Sequence, residues 1–100
     1  LGPWMVTHFS VAEAGNVRLR TTVDGTVCQE SSTSEMIRSV SELVSEISSR
    51  LTLLPGDVIL TGTPAGAATV VPRQQVEVEI EGIGTLVNSV VAGQNAVVEG

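Results

Sequence analysis

The chain has 100 residues, 42% of them hydrophobic, so it can bury a core, and we expect one domain or part of one. Its formal charge of −6, with five dispersed arginines as its basic residues, argues against a nucleic-acid-binding surface. No apolar stretch approaches the roughly 20 residues that a membrane span needs. No secretory signal is visible either, and we expect neither a nucleic-acid nor a membrane partner.

The single cysteine, Cys28, cannot form an intrachain disulfide. This is compatible with a reducing cytoplasm, where we expect the protein to be located. No His, Lys or helix N-terminus is obviously placed to activate the thiol, so Cys28 is interpreted as a half-buried strand residue. The chain opens on Leu1 rather than Met and has no polar lead-in. We therefore expect it to be cut from a longer protein.

The first regular pattern is an alternation of inward and outward residues from Val17 to Val23. Asp24-Gly25 follows, directly before the segment from Thr26 to Gln29. Asp-Gly between two strand-like runs is typical of a two-residue turn of type I′. The pattern therefore predicts a β-hairpin.

The strongest periodic signal of the chain is helical. Ser32 is followed three residues later by Glu35, the spacing of a capping box. Apolar residues then recur at the spacing of one helix face. They are Met36, Ile37, Val40, Leu43, Val44, Ile47 and Leu51. One amphipathic α-helix is predicted near residues 33–50.

A short apolar run and a bend follow the predicted helix. Pro55-Gly56-Asp57 has the composition of a turn, and the run from Val58 to Leu60 predicts a short buried strand. Residues 61–66, Thr-Gly-Thr-Pro-Ala-Gly, contain two glycines and a proline. We expect the backbone to leave the sheet there in a tight, exposed bend.

The last regular segment predicts two more strands. Apolar residues alternate with glutamates from Val76 to Glu81, and Gly82-Ile83-Gly84 leads into the segment from Thr85 to Val91. Ala92 to Gly100 is expected to be a tail, in which Val97-Val98 could add an edge strand. The expected fold is mostly β, with one amphipathic helix covering a sheet face.

Five motifs follow one another in an order that resembles the fumarylacetoacetate hydrolase family. They are Gly2-Pro3-Trp4, the Asp24-Gly25 hairpin ending at Gln29, the segment Thr33 to Ile37, the segment Leu53 to Gly66, and the segment Glu79 to Leu86. The resemblance covers residues 1–91, corresponds to the C-terminal half of the catalytic domain, and is most specific from Pro55 to Gly66. The direct passage from Val70-Val71-Pro72 into the Val76 strand is most similar to 2-hydroxyhepta-2,4-diene-1,7-dioate isomerases.

The resemblance implies a mixed β-roll or sandwich with few helices. It also implies an enzyme that hydrolyses a carbon–carbon bond, isomerises or decarboxylates a small oxo-acid or β-diketo acid. In the family a divalent ion, Mg²⁺ or Mn²⁺, stabilises the enolate and is held by acidic residues upstream of Gly2-Pro3-Trp4. The metal ligands are therefore expected outside this chain, and the full-length protein is expected to be a homodimer.

Gly62 and Thr63 are the substrate-binding residues that the resemblance implies, because the family's Gly-Thr-Pro threonine faces the substrate carboxylate. The residue types agree, since a hydroxyl can donate a hydrogen bond and the amides of a bend can point at an anion. The alternative is a plain β-turn. No catalytic residue and no metal ligand is assigned within the chain.

Other candidates have simpler structural interpretations. His8, the single histidine, has no neighbours at metal-ligand spacing. Glu77, Glu79 and Glu81 alternate on one strand face and are expected to form a solvated face. Trp4 is expected to pack in the core or at an interface.

The chain departs from the family pattern at three places. Family members commonly have an acidic residue at the position of His8-Phe9-Ser10. They usually have an aromatic residue after Met-Ile, where this chain has Arg38. They usually have a Gly-Asp turn before the last glutamate-rich strand, where this chain has Arg73-Gln74. The second hypothesis is therefore a non-catalytic half of a degenerate family member, with a structural or dimerisation role. An uncovered surface at Trp4 or Val90-Val91 would be consistent with the homodimer that the resemblance implies. A weaker third hypothesis is an unrelated β domain that binds a peptide at an edge strand.

Overall fold

The computed structural model describes residues 1–93. The elements in chain order are helix α1 (Val11–Ala14), strands β1 (Arg18–Val23) and β2 (Thr26–Ser32), a 3₁₀ turn (Thr33–Glu35), helix α2 (Val40–Ser48), and strands β3 (Gln75–Ile80) and β4 (Gly84–Ser89). The strands form one antiparallel sheet in the order β2-β1-β3-β4. A mostly β fold is confirmed, and the proposed strand at Val97-Val98 lies outside the described residues.

The predicted hairpin is formed by β1 and β2. Asp24 and Gly25 have φ angles of 49° and 81°, the positive values that a type I′ turn requires at both central positions. The register passes from Thr21 opposite Gln29 to Thr22 opposite Val27, which leaves Cys28 without an opposite residue on β1. The alternation in the sequence predicted the hairpin but not this bulge.

The two faces of the sheet differ in chemistry. On one face Arg20 of β1 lies opposite Glu79 of β3, and the guanidinium donates to Glu79 Oε1 at 2.6 Å. On the other face Leu19 lies opposite Ile80, and both are half-buried. Residues directly opposite in an antiparallel pair share a face. The second face is therefore the apolar one, and it also carries the cleft described below.

The described residues bury little apolar surface. Val17, at 7% exposure, is the one apolar residue among residues 1–93 that counts as buried. Ile37 and Leu60 are 103% and 90% exposed. Because burial of apolar area is the main favourable term in folding, residues 1–93 on their own have a weak driving force for folding.

No helix within residues 1–93 is long and apolar enough to cross a membrane.

Helix α2 begins later than the sequence pattern predicted. Ser32 accepts a hydrogen bond from the Ser34 backbone N–H, but this begins only the 3₁₀ turn, after which Met36 is extended. The capping box of α2 is instead formed by Ser39 and Glu42. The predicted start near residue 33 is therefore wrong, because the same Ser-x-x-Glu spacing recurs seven residues later and that second box nucleates the helix.

The segment from Val58 to Leu60 is not a strand, so the prediction of a buried strand is wrong. Val58 is 56% exposed and Leu60 90% exposed. A strand needs a neighbour to pair its backbone groups, and no strand among residues 1–93 pairs with this segment. The length and composition of an apolar run are thus compatible with a strand, but they do not show whether a neighbouring strand is present to pair with it.

Two hydrogen bonds between Ser39 and Glu42, which together form the capping box, stabilise the N-terminus of α2. Ser39 Oγ accepts from the Glu42 backbone N–H at 3.1 Å, and Glu42 Oε1 accepts from the Ser39 backbone N–H at 2.8 Å. The latter bond is the main cause that lowers the pKa of the Glu42 carboxyl below its ordinary value of 4.5. A carboxylate with a lowered pKa stabilises the fold above its unfolded-state pKa, and this contribution is lost as the pH falls through the folded-state pKa.

Ser39→Ala is expected to lower the free energy of unfolding by about 1 kcal/mol, because one N-terminal backbone donor of α2 loses its acceptor. Urea unfolding of the full-length protein at neutral pH measures this difference. Ser45→Ala is the matched control, since Ser45 is exposed within α2 and its side chain takes no part in the N-terminal cap. Equal effects of the two substitutions would contradict the assignment of the cap to Ser39.

Candidate substrate-binding cleft

An open cleft of about 460 Å³ lies against the apolar side of β1 and β2. It is lined by Leu19, the segments Ser31–Thr33 and Glu35–Arg38, Leu43 of α2 and the turn Thr61–Pro64. Ser31 lies opposite Leu19 in the sheet register, which places both on the face where the cleft opens. The cleft therefore brings the predicted substrate-binding turn together with the chain that leaves β2.

Gln29 of β2 holds the turn in place. This side chain is 9% exposed, and its Nε2 lies 2.7 Å from Thr63 Oγ1 and 2.8 Å from the Pro64 carbonyl oxygen. A carbonyl oxygen only accepts, so the Gln29 atom between the two must be the amide nitrogen. Thr63 Oγ1 then accepts from Gln29, and its own hydroxyl hydrogen remains to be donated elsewhere.

Two glycines give the turn its path. Gly62 has a φ of 90° with open space where a side chain would begin, and Gly66 has a φ of 101°. A Cβ at Gly66 would overlap the carbonyl oxygen of Cys28, the bulge residue of β2. Residues other than glycine rarely adopt these angles. The turn is thus fixed to β2 by the Gln29 hydrogen bonds and by the close approach of Gly66.

The arrangement provides a neutral donor for an anion. Thr63 is exposed, lines the cleft and has a free hydroxyl hydrogen, whereas Gly62 presents its backbone without side-chain bulk. A carboxylate accepts hydrogen bonds from such groups, and bonds to an ionised acceptor are stronger than neutral ones. The structure therefore brings Gly62 and Thr63 to the cleft wall, while their role in binding substrate stays a prediction.

The other candidates lie away from the cleft. His8 stacks on Phe9 with ring centroids 5.3 Å apart. Glu79 is paired with Arg20, and Glu81 Oε1 accepts from the Arg18 backbone N–H at 3.4 Å. A solvated face was expected, but the pairing of Glu79 with Arg20 was not. Within residues 1–93 no three His, Cys, Asp or Glu side chains are grouped so that they could hold a metal ion.

Cys28 and Trp4 have structural surroundings. Cys28 is half-buried in β2, as predicted, and its Sγ lies 3.6 Å from the Thr26 carbonyl oxygen. Trp4 is 61% exposed, so it is not a core residue of the described chain. Its indole lies against Gly84, where an added Cβ would come within 2.7 Å of the ring.

Sequence reasoning missed the roles of Gln29, which fixes the turn, and Arg38, which lines the cleft. Gln29 was noted only as the end of the hairpin, although a glutamine directly opposite Thr21 on the inward face of β1 is an unusual polar residue for that face. Arg38 was placed inside the predicted helix, whereas it lies before α2 and lines the cleft. The position of Gln29 in the inward–outward alternation of β2 could have indicated its role. No comparable signal existed for Arg38, because the helical spacing of the apolar residues around it predicted a helix there.

Comparison with known proteins gives the family. A family model described as "Fumarylacetoacetate (FAA) hydrolase C-terminal" matches residues 1–91. The chain belongs to the fumarylacetoacetate hydrolase family. The match extends from the Gly-Pro-Trp segment through β4 and so includes the whole cleft.

Three relatives illustrate this membership. The chain is 45% identical over 96 residues to the 4-hydroxyphenylacetate degradation bifunctional isomerase/decarboxylase of Salmonella dublin. This match covers 96% of this chain and 22% of that protein. It is 51% identical to the 2-hydroxyhepta-2,4-diene-1,7-dioate isomerase of Mycobacterium marinum, with a TM-score of 0.81 over 90% of this chain and 34% of that one. This agrees with the resemblance to such isomerases.

The third relative is the maleylpyruvate hydrolase of Sphingobium sp. SYK-6, whose crystal structure is a complex with manganese(II) and pyruvate. It is 30% identical, with a TM-score of 0.86 over 93% of this chain and 35% of that one. The chain thus spans about a fifth to a third of the length of these relatives.

Proposed function

We propose that this chain forms the carboxylate-binding part of a divalent-metal-dependent enzyme that acts on small oxo-acids or β-diketo acids. The observation that carries the proposal is the Thr63 hydroxyl, which Gln29 fixes at the cleft wall with its hydrogen free to donate. The relatives support an enzyme of this kind, since they are named as isomerases, a decarboxylase and a hydrolase. The reaction is a hydrolysis, an isomerisation or a decarboxylation of such an acid.

The chain's own part in this reaction is to bind and orient the substrate. The Thr63 hydroxyl donates to a carboxylate oxygen, and the backbone amides at Gly62 and Thr63 lie in the same bend. Because the turn is fixed to β2 through Gln29 and Gly66, it offers these donors without first being ordered. A fixed carboxylate holds the neighbouring oxo group in one orientation for the chemistry.

The metal ion does not fit on the described residues. Residues 1–93 contain no group of three possible ligands, and two acidic residues of the outer sheet face, Glu30 and Glu79, are paired with Arg18 and Arg20. We place the ion, Mg²⁺ or Mn²⁺, on residues outside this chain. The manganese(II) and pyruvate in the maleylpyruvate hydrolase crystal support a divalent ion of this kind.

A second candidate is a structural or dimerisation half without catalysis. The sparse burial of residues 1–93 favours it, since apolar side chains such as Ile37, Leu60 and Val91 are exposed and available to a partner surface. Homodimerisation of the full-length protein would cover such a surface under either proposal.

We also place the protein in the cytoplasm, in keeping with its single cysteine.

The test is metal-dependent turnover by the full-length protein. We expect it to bind Mn²⁺ in calorimetry, to convert 2-hydroxyhepta-2,4-diene-1,7-dioate or maleylpyruvate, and to lose this activity on treatment with EDTA and regain it with Mn²⁺ or Mg²⁺. The 100-residue chain alone serves as the control and should bind no metal. Failure of the full-length protein to bind either ion would overturn the enzymatic proposal in favour of the structural one.

A further inference from the structure

Glu35 is the one acidic residue that lines the cleft among the described residues. It is exposed, and Ser31 Oγ donates a hydrogen bond to Glu35 Oε1 at 2.7 Å. Within residues 1–93 the second carboxylate oxygen, Oε2, has no hydrogen-bond or ion-pair partner. The cleft that holds the Thr63 hydroxyl therefore also contains a carboxylate with one oxygen fixed and the other free.

The turn that carries Glu35 is fixed to the segment that enters β1. Glu35 ends the 3₁₀ turn, which begins at Thr33. Thr33 Oγ1 donates to the Ala14 carbonyl oxygen at 2.7 Å and accepts from the Val17 backbone N–H at 2.9 Å. Val17 is the buried apolar residue directly before β1. The Glu35 backbone thus has a defined position beside the sheet, as a group that transfers a proton requires.

No cation on the described cleft wall offsets the charge of Glu35. Arg38 also contributes to the wall, but its guanidinium is paired with Glu46 and lies with it in a separate groove along α2. Like charges repel, so a carboxylate on this wall disfavours binding of an anionic oxo-acid. A glutamine of the same shape would bind such an acid without this penalty. A step in which the carboxylate takes up a proton gives the acidic side chain a role that glutamine cannot fill.

We infer that Glu35 is a catalytic base, which removes a proton from the carbon next to the oxo group of a substrate whose carboxylate is bound at Thr63. The inference rests on the proposed function. Glu35 Oε2 takes the proton, the electron pair of the C–H bond becomes a carbon–carbon double bond, and the oxo oxygen takes the negative charge of an enolate. The protonated Glu35 then returns the proton to carbon or oxygen, which completes a keto–enol isomerisation without a further reactant.

The test measures proton removal separately from binding. The methyl protons of pyruvate lie next to its oxo group, and their replacement by deuterium in D₂O is followed by NMR with the full-length protein and Mg²⁺. We expect the wild type to catalyse this exchange, and Glu35→Gln to slow it roughly a hundredfold to ten-thousandfold. The dissociation constant of pyruvate, measured by calorimetry, should stay the same or fall. Glutamine keeps an acceptor oxygen for Ser31, so the local hydrogen bond is retained.

Two further variants provide the controls. Glu30→Gln removes the same charge from an exposed position on β2 that does not line the cleft, and it should leave exchange and binding unchanged. Ser31→Ala removes the donor that orients the Glu35 carboxylate. It should slow exchange, but less than Glu35→Gln does.

The outcomes separate this inference from the proposal on which it rests. If Glu35→Gln exchanges the pyruvate protons as fast as the wild type, or if Glu30→Gln slows exchange equally, the role of Glu35 is overturned and the proposed function stands. The same holds if the wild type binds pyruvate without exchanging its protons. Loss of both binding and exchange in Glu35→Gln would show a structural role and also overturn the inference. If the wild type binds no pyruvate with Mg²⁺ present, the proposed function fails, and the inference fails with it.

Discussion

Thr63→Val in the full-length protein is expected to weaken binding of an oxo-acid roughly tenfold to a hundredfold. Valine keeps the branched shape of threonine but removes the hydroxyl, and with it one hydrogen bond to an ionised carboxylate, a bond worth about 1.5–3 kcal/mol. The measurements are KM in turnover and the dissociation constant of pyruvate in the presence of Mn²⁺. The loss should appear in both quantities, since the bond is made to a group that is present before and during the reaction.

Two further variants separate donation by Thr63 from a general disturbance of the turn. Thr63→Ser keeps the hydroxyl and is expected to retain most of the affinity. Gln29→Met removes the donor that fixes Thr63 Oγ1 and the Pro64 carbonyl, so it should weaken binding although it touches no substrate. If Thr63→Val bound pyruvate as well as the wild type, the hydroxyl would have no part in recognition and the turn would be purely structural.

Gly66→Ala is expected to disturb the turn more than any other single methyl group added in this loop. The residue has a φ of 101°, and the added Cβ would overlap the Cys28 carbonyl oxygen. A non-glycine residue at such an angle costs about 1–3 kcal/mol, and the overlap with backbone adds to this because β2 is held in the sheet. We expect a lower melting temperature together with weaker pyruvate binding.

Gly56→Ala is the matched control for this substitution. Gly56 has a similar φ of 95°, but an added Cβ there has open space around it and the residue does not line the cleft. Gly56→Ala should therefore show the cost of the angle alone and leave pyruvate binding unchanged. Equal losses of stability and binding in the two variants would mean that the approach of Gly66 to β2 does not position the turn.

The sequence predicted the local elements whose cause is local. The Asp24-Gly25 turn and the β3–β4 pair could be read from alternation and turn chemistry, because a hairpin's partner is its neighbour in the chain. The ordered motifs likewise identified the family, which the match over residues 1–91 confirms. The helix was predicted with the wrong start, since two boxes of identical spacing, at Ser32 and Ser39, compete and sequence spacing does not rank them.

The composition of the cleft could not be derived in the same way. Arg38 and Thr63 are far apart in the chain, and only the folded chain brings them to one cleft and places Gln29 against Thr63. The segment from Val58 to Leu60 has the composition of a strand but does not form one, because no strand among residues 1–93 pairs with it.

The sequence by itself thus determined the family, the mostly β fold and the Gly62-Thr63 turn as the candidate for substrate binding. The tertiary structure alone decided that Gln29 orients the Thr63 hydroxyl, that Gly66 lies against the Cys28 carbonyl, and that Arg38 lines the same cleft. The physical reason is the range of the interactions. Turns and caps depend on residues within a few positions, whereas a binding cleft depends on hydrogen bonds and contacts between segments that only the sheet register and loop packing bring together.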